Sequence, residues 1–178
     1  MQPQTSGAPP YRTLTMMVLM TPDTANFAGN VHGGHLLKLL DQVAYACASR
    51  YSGSYVMTVS VDQVAFHERI HVGELVSFIA SVNYTGTTSM EIGIRVEAEQ
   101  IIERRQRHVL TCYFTMVAVD EAGRPKPVPQ VPVHTPEQRR RRAAATLRRE
   151  LRKEIAQRSL DIRQNAEELL SELDQEPH

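Results

Sequence analysis

The chain has 178 residues, 42% of them hydrophobic, with 20 Lys plus Arg against 20 Asp plus Glu and so no formal net charge. One domain with an appendage is the natural reading of that size, and neutrality gives no global pull toward nucleic acid or an anionic membrane. Cys47 and Cys112, the two cysteines, both lie in apolar segments and fit a reducing compartment rather than a disulfide framework. No N-terminal run has the basic, apolar, small-residue order of a signal peptide, so a cytoplasmic location is expected.

Residues 1–10 are small, polar and proline-rich, and predict a disordered leader. From Tyr11 to Met20, Leu14, Met16, Val18 and Met20 alternate with polar positions, which predicts a strand. Thr21-Pro22-Asp23 breaks it. A polar loop from Asn26 to Gly34 then feeds a helix to about Tyr51, closed by Gly53. That helix is apolar on nearly every side, with a thin polar line of Lys38, Asp41, Gln42, Tyr45 and Ser49. In a chain with no membrane-length apolar run, the rest of the protein must wrap it. Gly33 and Gly34 at its start allow close approach and leave first-turn N–H groups able to bind an oxygen or anion.

Strand-like runs follow at Tyr55–His67, Glu74–Thr85, Met90–Ile101 and Arg107–Val119. In the first, Met57, Val59 and Val61 share one face and Thr58, Ser60 and Asp62 the other. Joints at Thr85-Gly86-Thr87, at the Glu103–Arg107 cluster and at Asp120–Gly123 read as hairpin connections. Five strands and one early apolar helix describe an α+β unit in which an antiparallel sheet curls around the helix. The Thr, Val and Tyr on the second face of the last strands favour a dimer. An extended strap, Arg124–Val133, has proline at 125, 127, 129 and 132.

Thr135-Pro136-Glu137-Gln138 is a strong helix start. Leu147, Leu151, Ile155, Ile162, Ala166, Leu169 and Leu173 then make one narrow apolar stripe on a helix about 55 Å long, at about 1.5 Å per residue. Between Arg139 and Lys153 stand eight basic residues and one acid; between Asp161 and Glu176, six acids and one base. A solvated helix with two charge blocks is the plain reading. Three others are open: a grip on the phosphates of a nucleotide, nucleic-acid contact, or pairing of opposite blocks between antiparallel copies. No aromatic interleaving supports nucleic acid, and no membrane partner is expected. The expected division is a leader at 1–10, a domain at 11–133 and a helical extension at 134–176.

PDTANFAGNVHGGHLLKLLDQVA, then MTVSVDQVAFHERIHVGE, then YTGTTSMEI, in that order and spacing, resemble the hotdog-fold acyl-CoA thioester hydrolases. The likeness is to the cytosolic branch, which includes bacterial single-domain enzymes and a two-domain animal brain enzyme. It covers about residues 11–133. It implies a hotdog fold, acyl-CoA as substrate, no cofactor beyond the CoA of substrate and product, and a homodimer with active sites at the interface. Three such dimers often associate, so a hexamer is expected. The family's Asp matches Asp41 and its Asn matches Asn26, two roles that the animal enzyme divides between its halves. Where the family tends to carry a basic residue in the third motif, this chain has Thr87-Thr88.

Thioester hydrolysis needs a base or nucleophile and donors for the developing oxyanion. Asp41 fits the first part, the N–H groups near Gly33 and Gly34 the second, and Asn26 can orient water or thioester. Asn30, His32, His35, Thr87, Thr88 and Ser89 are weaker candidates for substrate contact. His32 and His35 have a spacing compatible with metal ligands, but no third ligand is placed, so no metal is expected. Asp62 and Phe66 read as structural. A non-catalytic acyl-CoA-binding regulator on the same fold is the alternative. A hotdog dehydratase would need a histidine base with an acidic partner, and no such pair is recognisable.

Overall fold

The computed structural model describes residues 11–173. The expected leader at 1–10 and the helical extension beyond 173 lie outside the described residues. Two compact units divide the chain, one ending at His134 and one beginning at Thr135.

In the first unit, strand β1 (Thr13–Leu19) precedes helix α1 (Gly33–Ser52), and strands β2 (Tyr55–Val61), β3 (Leu75–Thr85), β4 (Ser89–Gln100) and β5 (Arg105–Val119) follow. They form one sheet in the order β1-β3-β4-β5-β2, every neighbouring pair antiparallel. Both β1 and β2 are therefore edges. The period-two alternation explains the core. Val76, Phe78, Ala80 and Val82 of β3, Ile92, Ile94, Val96 and Ala98 of β4, and Leu110, Cys112, Phe114, Met116 and Ala118 of β5 are all buried. They form one cluster with Leu36, Leu39, Leu40, Val43, Ala44, Cys47, Ala48 and Tyr51 of α1. Burying each large side chain there stabilises by about 1.5–3 kcal/mol. This is the expected α+β arrangement of sheet around helix. The opposite face carries a polar row in which Ser81 donates to Asn83 (2.9 Å) and Asn83 to Glu91 (3.5 Å). Gly93 is required beside it, because a Cβ there would stand 2.4 Å from Asn83 Nδ2.

Strand β2 is shorter than the alternation predicts. It ends at Val61, a residue before Asp62 donates its N–H to Tyr113 (2.9 Å), and residues 62–70 run as an irregular segment. The segment is diverted to the start of α1, where Ile70 accepts from the Val31 N–H (2.9 Å) and Asn30 bridges His71. The proline strap is fastened by Val128 N–H to Thr87 O and by Val131 N–H to Thr85 Oγ1, each 2.9 Å. The Glu74 carboxylate, 4% exposed, takes two bonds from Arg107 at 2.7 and 2.8 Å and one from the His71 N–H at 2.9 Å. Burial pushes its pKa up, but these bonds outweigh burial and hold it below the ordinary range.

The second unit is α2 (Pro136–Leu173). Its start is the predicted capping box: Gln138 N–H donates to Thr135 Oγ1 and Thr135 N–H to Gln138 Oε1, both 3.2 Å. Arg140 and Arg141 bond Glu137 and bring its carboxyl down to about 2. No helix among the described residues is long and apolar enough to cross a membrane.

Candidate active site

The site starts from the one side of α1 that the sheet leaves open. Leu37, Lys38, Asp41, Gln42 and Tyr45 are exposed along it. Strand β2 runs beside this strip, and the Tyr55 ring meets Tyr45 edge-on with centroids 5.8 Å apart. One step along, the Thr58 hydroxyl donates to Asp41 Oδ1 at 2.6 Å, a charge-assisted bond that fixes the carboxylate. Thr58 is held in turn by its place opposite Met116 in the β2–β5 ladder.

The loop before α1 presents Asn26. Its Oδ1 accepts from the N–H groups of Ala28 (2.9 Å) and Asn30 (3.2 Å). Those two bonds fix the amide orientation, so the acceptor end is consumed by the loop and the Nδ2 group is left as a donor. Asn26 is thus both a turn former and a directed N–H source. Asn30 sits inside the same turn, with its Nδ2 3.5 Å from Ala28 O.

At the helix start, His32 is the cap, and its Nδ1 accepts from the Gly34 N–H at 2.9 Å. This corrects the expectation that both glycine amides are free, since capping consumes that of Gly34. The N–H groups of His35 and Leu36 go to His32 O. Gly33 N–H has no hydrogen-bond partner among the described residues. Phe66, 46% exposed, closes on Gly33: its Cζ is 3.8 Å from where a side chain would begin. His35 lies near Asp23, whose carboxyl is lowered first by a bond from Thr21 and least by His35. Neither histidine bonds Asp41, and no cluster of three metal-ligating side chains occurs among the described residues.

The remaining candidates are placed as follows. Thr87 and Thr88 lie in the β3–β4 turn and Ser89 opens β4, and their backbone carbonyls are used: Thr87 O by the strap, Thr88 O by Ala118 N–H and Ser89 O by Gly86 N–H. Ladder register sets Met90 opposite Met116, and Met116 opposite Thr58, so this turn is two strands from the Asp41 site. Cys47 and Cys112 are buried, and burial pushes both thiols up to about 12, which removes them as nucleophiles at neutral pH. Thr58 is the residue that sequence reasoning missed. The available signal was its place on the polar side of β2, the side that the helix's polar line would meet.

A wrapped helix with a glycine turn at its N-terminus and an acid on its open side defines the hotdog class, and comparison with known proteins agrees. The thioesterase superfamily model matches residues 28–104. The chain is 49% identical over 139 residues to protein VdlD of Helicobacter pylori, covering 78% of this chain and 79% of that one. Among solved structures it resembles a hexameric acyl-CoA thioesterase in its apo form (36% identity, TM-score 0.79, 82% of this chain and 94% of that one). It also resembles an acyl-CoA hydrolase of Staphylococcus aureus solved with butyryl coenzyme A and coenzyme A (28% identity, TM-score 0.77, 90% of this chain and 96% of that one). Alanine variants of the Staphylococcus aureus enzyme at an aspartate, an asparagine and a threonine have also been solved. The chain belongs to the thioesterase superfamily, in the acyl-CoA thioester hydrolase branch.

Proposed function

We propose that this chain hydrolyses acyl-CoA to a free carboxylic acid and CoA at Asp41. Asp41 takes a proton from water as the water oxygen attacks the thioester carbonyl; direct attack by the carboxylate is the second route to the same products. The Asn26 Nδ2 group and the Gly33 N–H donate to the oxygen that becomes negative. The carbon–sulfur bond then breaks, and the proton held by Asp41 passes to the departing thiolate. No step calls for a metal or cofactor; CoA enters and leaves as part of substrate and product.

The observation that carries this reading is the 2.6 Å bond from Thr58 to Asp41 on the open side of α1. A solvating acid would need no such anchor. Aspartate, asparagine and threonine are also the residue types replaced in the Staphylococcus aureus variants. That an enzyme bound to butyryl coenzyme A and a hexameric acyl-CoA thioesterase share this fold supports the substrate class and a higher assembly. We assign Asn30 and His32 to shaping the loop, and His35, Thr87, Thr88 and Ser89 to more distant contact with the CoA arm.

The site is proposed to be completed by a second copy. Strand β2 is an edge whose Tyr55, Met57, Val59 and Val61 are 62%, 50%, 63% and 43% exposed. An apolar edge of that kind pairs with another strand or aggregates. Pairing with β2 of a second chain extends the sheet across a two-fold axis, and three such dimers make the expected hexamer. Residues 11–133 act as the catalytic domain, 134–176 as an extension, in a protein read as cytoplasmic from its two buried free thiols.

The test is purified protein assayed with acyl-CoA esters of graded chain length and a thiol-detecting dye. Wild type releases CoA; Asp41→Asn folds normally and loses about 10²-fold or more in kcat. A wild type inert toward the whole panel would overturn the activity, and a variant with near-normal turnover would overturn the role of Asp41.

A further inference from the structure

We infer that α2 pairs antiparallel with α2 of a second copy, in one register in which Leu151 of each chain faces Ile162 of the other. The pairing is independent of the catalytic reading.

The helix has 38 residues, and four members of its apolar stripe are open: Leu147, Leu151, Ile155 and Ile162 are 72%, 53%, 55% and 67% exposed. A sparse stripe on a strongly charged helix does not hold a helix straight in water alone; helices of this kind are stabilised by packing. The stripe repeats every eleven residues. Leu151, Ile162 and Leu173 make one row, Ile155 and Ala166 a second, and Leu147, Arg158 and Leu169 a third. At about 98° per residue, an eleven-residue repeat puts the three rows within a band about 65° wide that does not drift around the helix. A band that narrow fits one partner helix, in a nearly straight pair.

Charge selects the direction. A parallel pair sets the basic block Arg139–Lys153 beside its own copy and the acids after Asp161 beside theirs. Antiparallel registers that keep the stripes facing differ by eleven residues. Sliding so that Leu151 faces Leu151 sets Arg149 level with Lys153 and Arg139 level with Arg163, and sliding so that Ile162 faces Ile162 leaves only residues 151–173 overlapping and takes the arginines at 139–149 out of the contact. The intermediate register sets Glu150 level with Arg163 and Arg152 level with Asp161, and puts no like charges level. In it Leu151 meets Ile162 and Leu147 meets Ala166. The helix backbone from 140 to 173 overlaps, the longest overlap of the three. Ile155 faces Arg158, whose aliphatic stem covers the apolar side chain while the guanidinium reaches water. Two copies related in this way sit about a two-fold axis, so the contact is closed and self-complementary.

The experiment is disulfide trapping in the full-length protein. Leu151→Cys and Ile162→Cys are made singly and together, oxidised mildly, and run on a non-reducing gel beside sedimentation velocity. Within one chain these positions are about 16 Å apart along the helix, too far to bridge. Cys47 and Cys112 are buried thiols and stay silent. The double variant is expected to cross-link between chains at high yield, each single variant at background level, and a mixture of the two single variants after subunit exchange to recover the cross-link. As a second measurement, Leu151→Glu with Ile162→Glu is expected to shrink the assembly without loss of the folded domain. Cross-linking of Leu151→Cys alone would show parallel pairing or the shifted register, and overturns the inference. So does a double variant that stays un-cross-linked while its assembly size is that of wild type.

Discussion

Replacing Thr58 with valine isolates the bond that anchors Asp41. Valine keeps the shape and the strand preference and removes the hydroxyl that donates to Asp41 Oδ1 at 2.6 Å. A hydrogen bond to a charged acceptor contributes about 1.5–3 kcal/mol. Thr58 and Asp41 are both exposed in the isolated chain, so solvent competes, and about 1–2 kcal/mol is the fitting range. At about 1.4 kcal/mol per tenfold, kcat falls about five- to thirty-fold. KM stays within about twofold, because Thr58 holds the acid rather than the acyl-CoA. Thr58→Ser restores the donor and is expected within about threefold of wild type. Thermal unfolding should fall by a few degrees in the valine variant and stay near wild type in the serine variant. The assay is steady-state CoA release for wild type, valine and serine proteins. A valine variant with wild-type kcat, or a serine variant as slow as valine, would refute the reasoning.

Two further outcomes follow from the structure. Mixing Asn26→Ala with Asp41→Ala subunits, each nearly inert alone, should restore up to about a quarter of wild-type turnover through heterodimers with one intact site; no recovery after proven exchange would place each site within one chain. Arg107→Met should cost about 2–3 kcal/mol at pH 7, less than the ~3–5 of a fully buried pair because Arg107 is 26% exposed. Glu74 titrates below its ordinary value, so its contribution is complete above the unfolded pKa of about 4.3 and is lost as pH falls through the lower folded value. Urea unfolding should therefore show the gap between variant and wild type narrowing below about pH 4; a gap independent of pH would sever the link to Glu74.

Legibility in the sequence followed the range of the interaction. Alternation along β3, β4 and β5 and the apolar mass of α1 are local patterns, and they led directly to a sheet wrapped on a helix. Motif order led to the family. The alternation carries β2 too far, because Val64 and Phe66 continue its strand-like spacing, whereas the chain is diverted by a non-local bond from Val31 to Ile70. Gly34 was assigned to the oxyanion because a glycine at a helix start leaves its amide free in general. Here a neighbouring side chain, His32 Nδ1, takes it, and nothing in the order of residues announces a histidine cap. Thr58 is legible only as a polar position on β2; its role depends on Asp41, seventeen positions earlier and on another element.

The proposed sharing of the site follows from a length. Gly33 and Asp41 are eight residues apart on α1, about 12 Å along its axis. A reacting carbonyl has to sit about 3 Å from its oxyanion donors and within one water of the base, a reach of about 6–7 Å in all. On the proposed reading, the two ends of that reaction are therefore served by different chains. Two chains related by a two-fold axis through paired β2 edges lay their α1 helices side by side in opposite directions. That inversion is proposed to set the N-terminal turn of one helix, with Gly33 and the Asn26 amide, level with the turn of the other that carries Asp41, anchored by Thr58. The open strip of α1, wasteful in a single chain, is then the floor of a groove whose far wall is the partner. On this argument the chemistry of each site depends on the pairing, and dilution below the dimer dissociation constant should abolish turnover while leaving each chain folded.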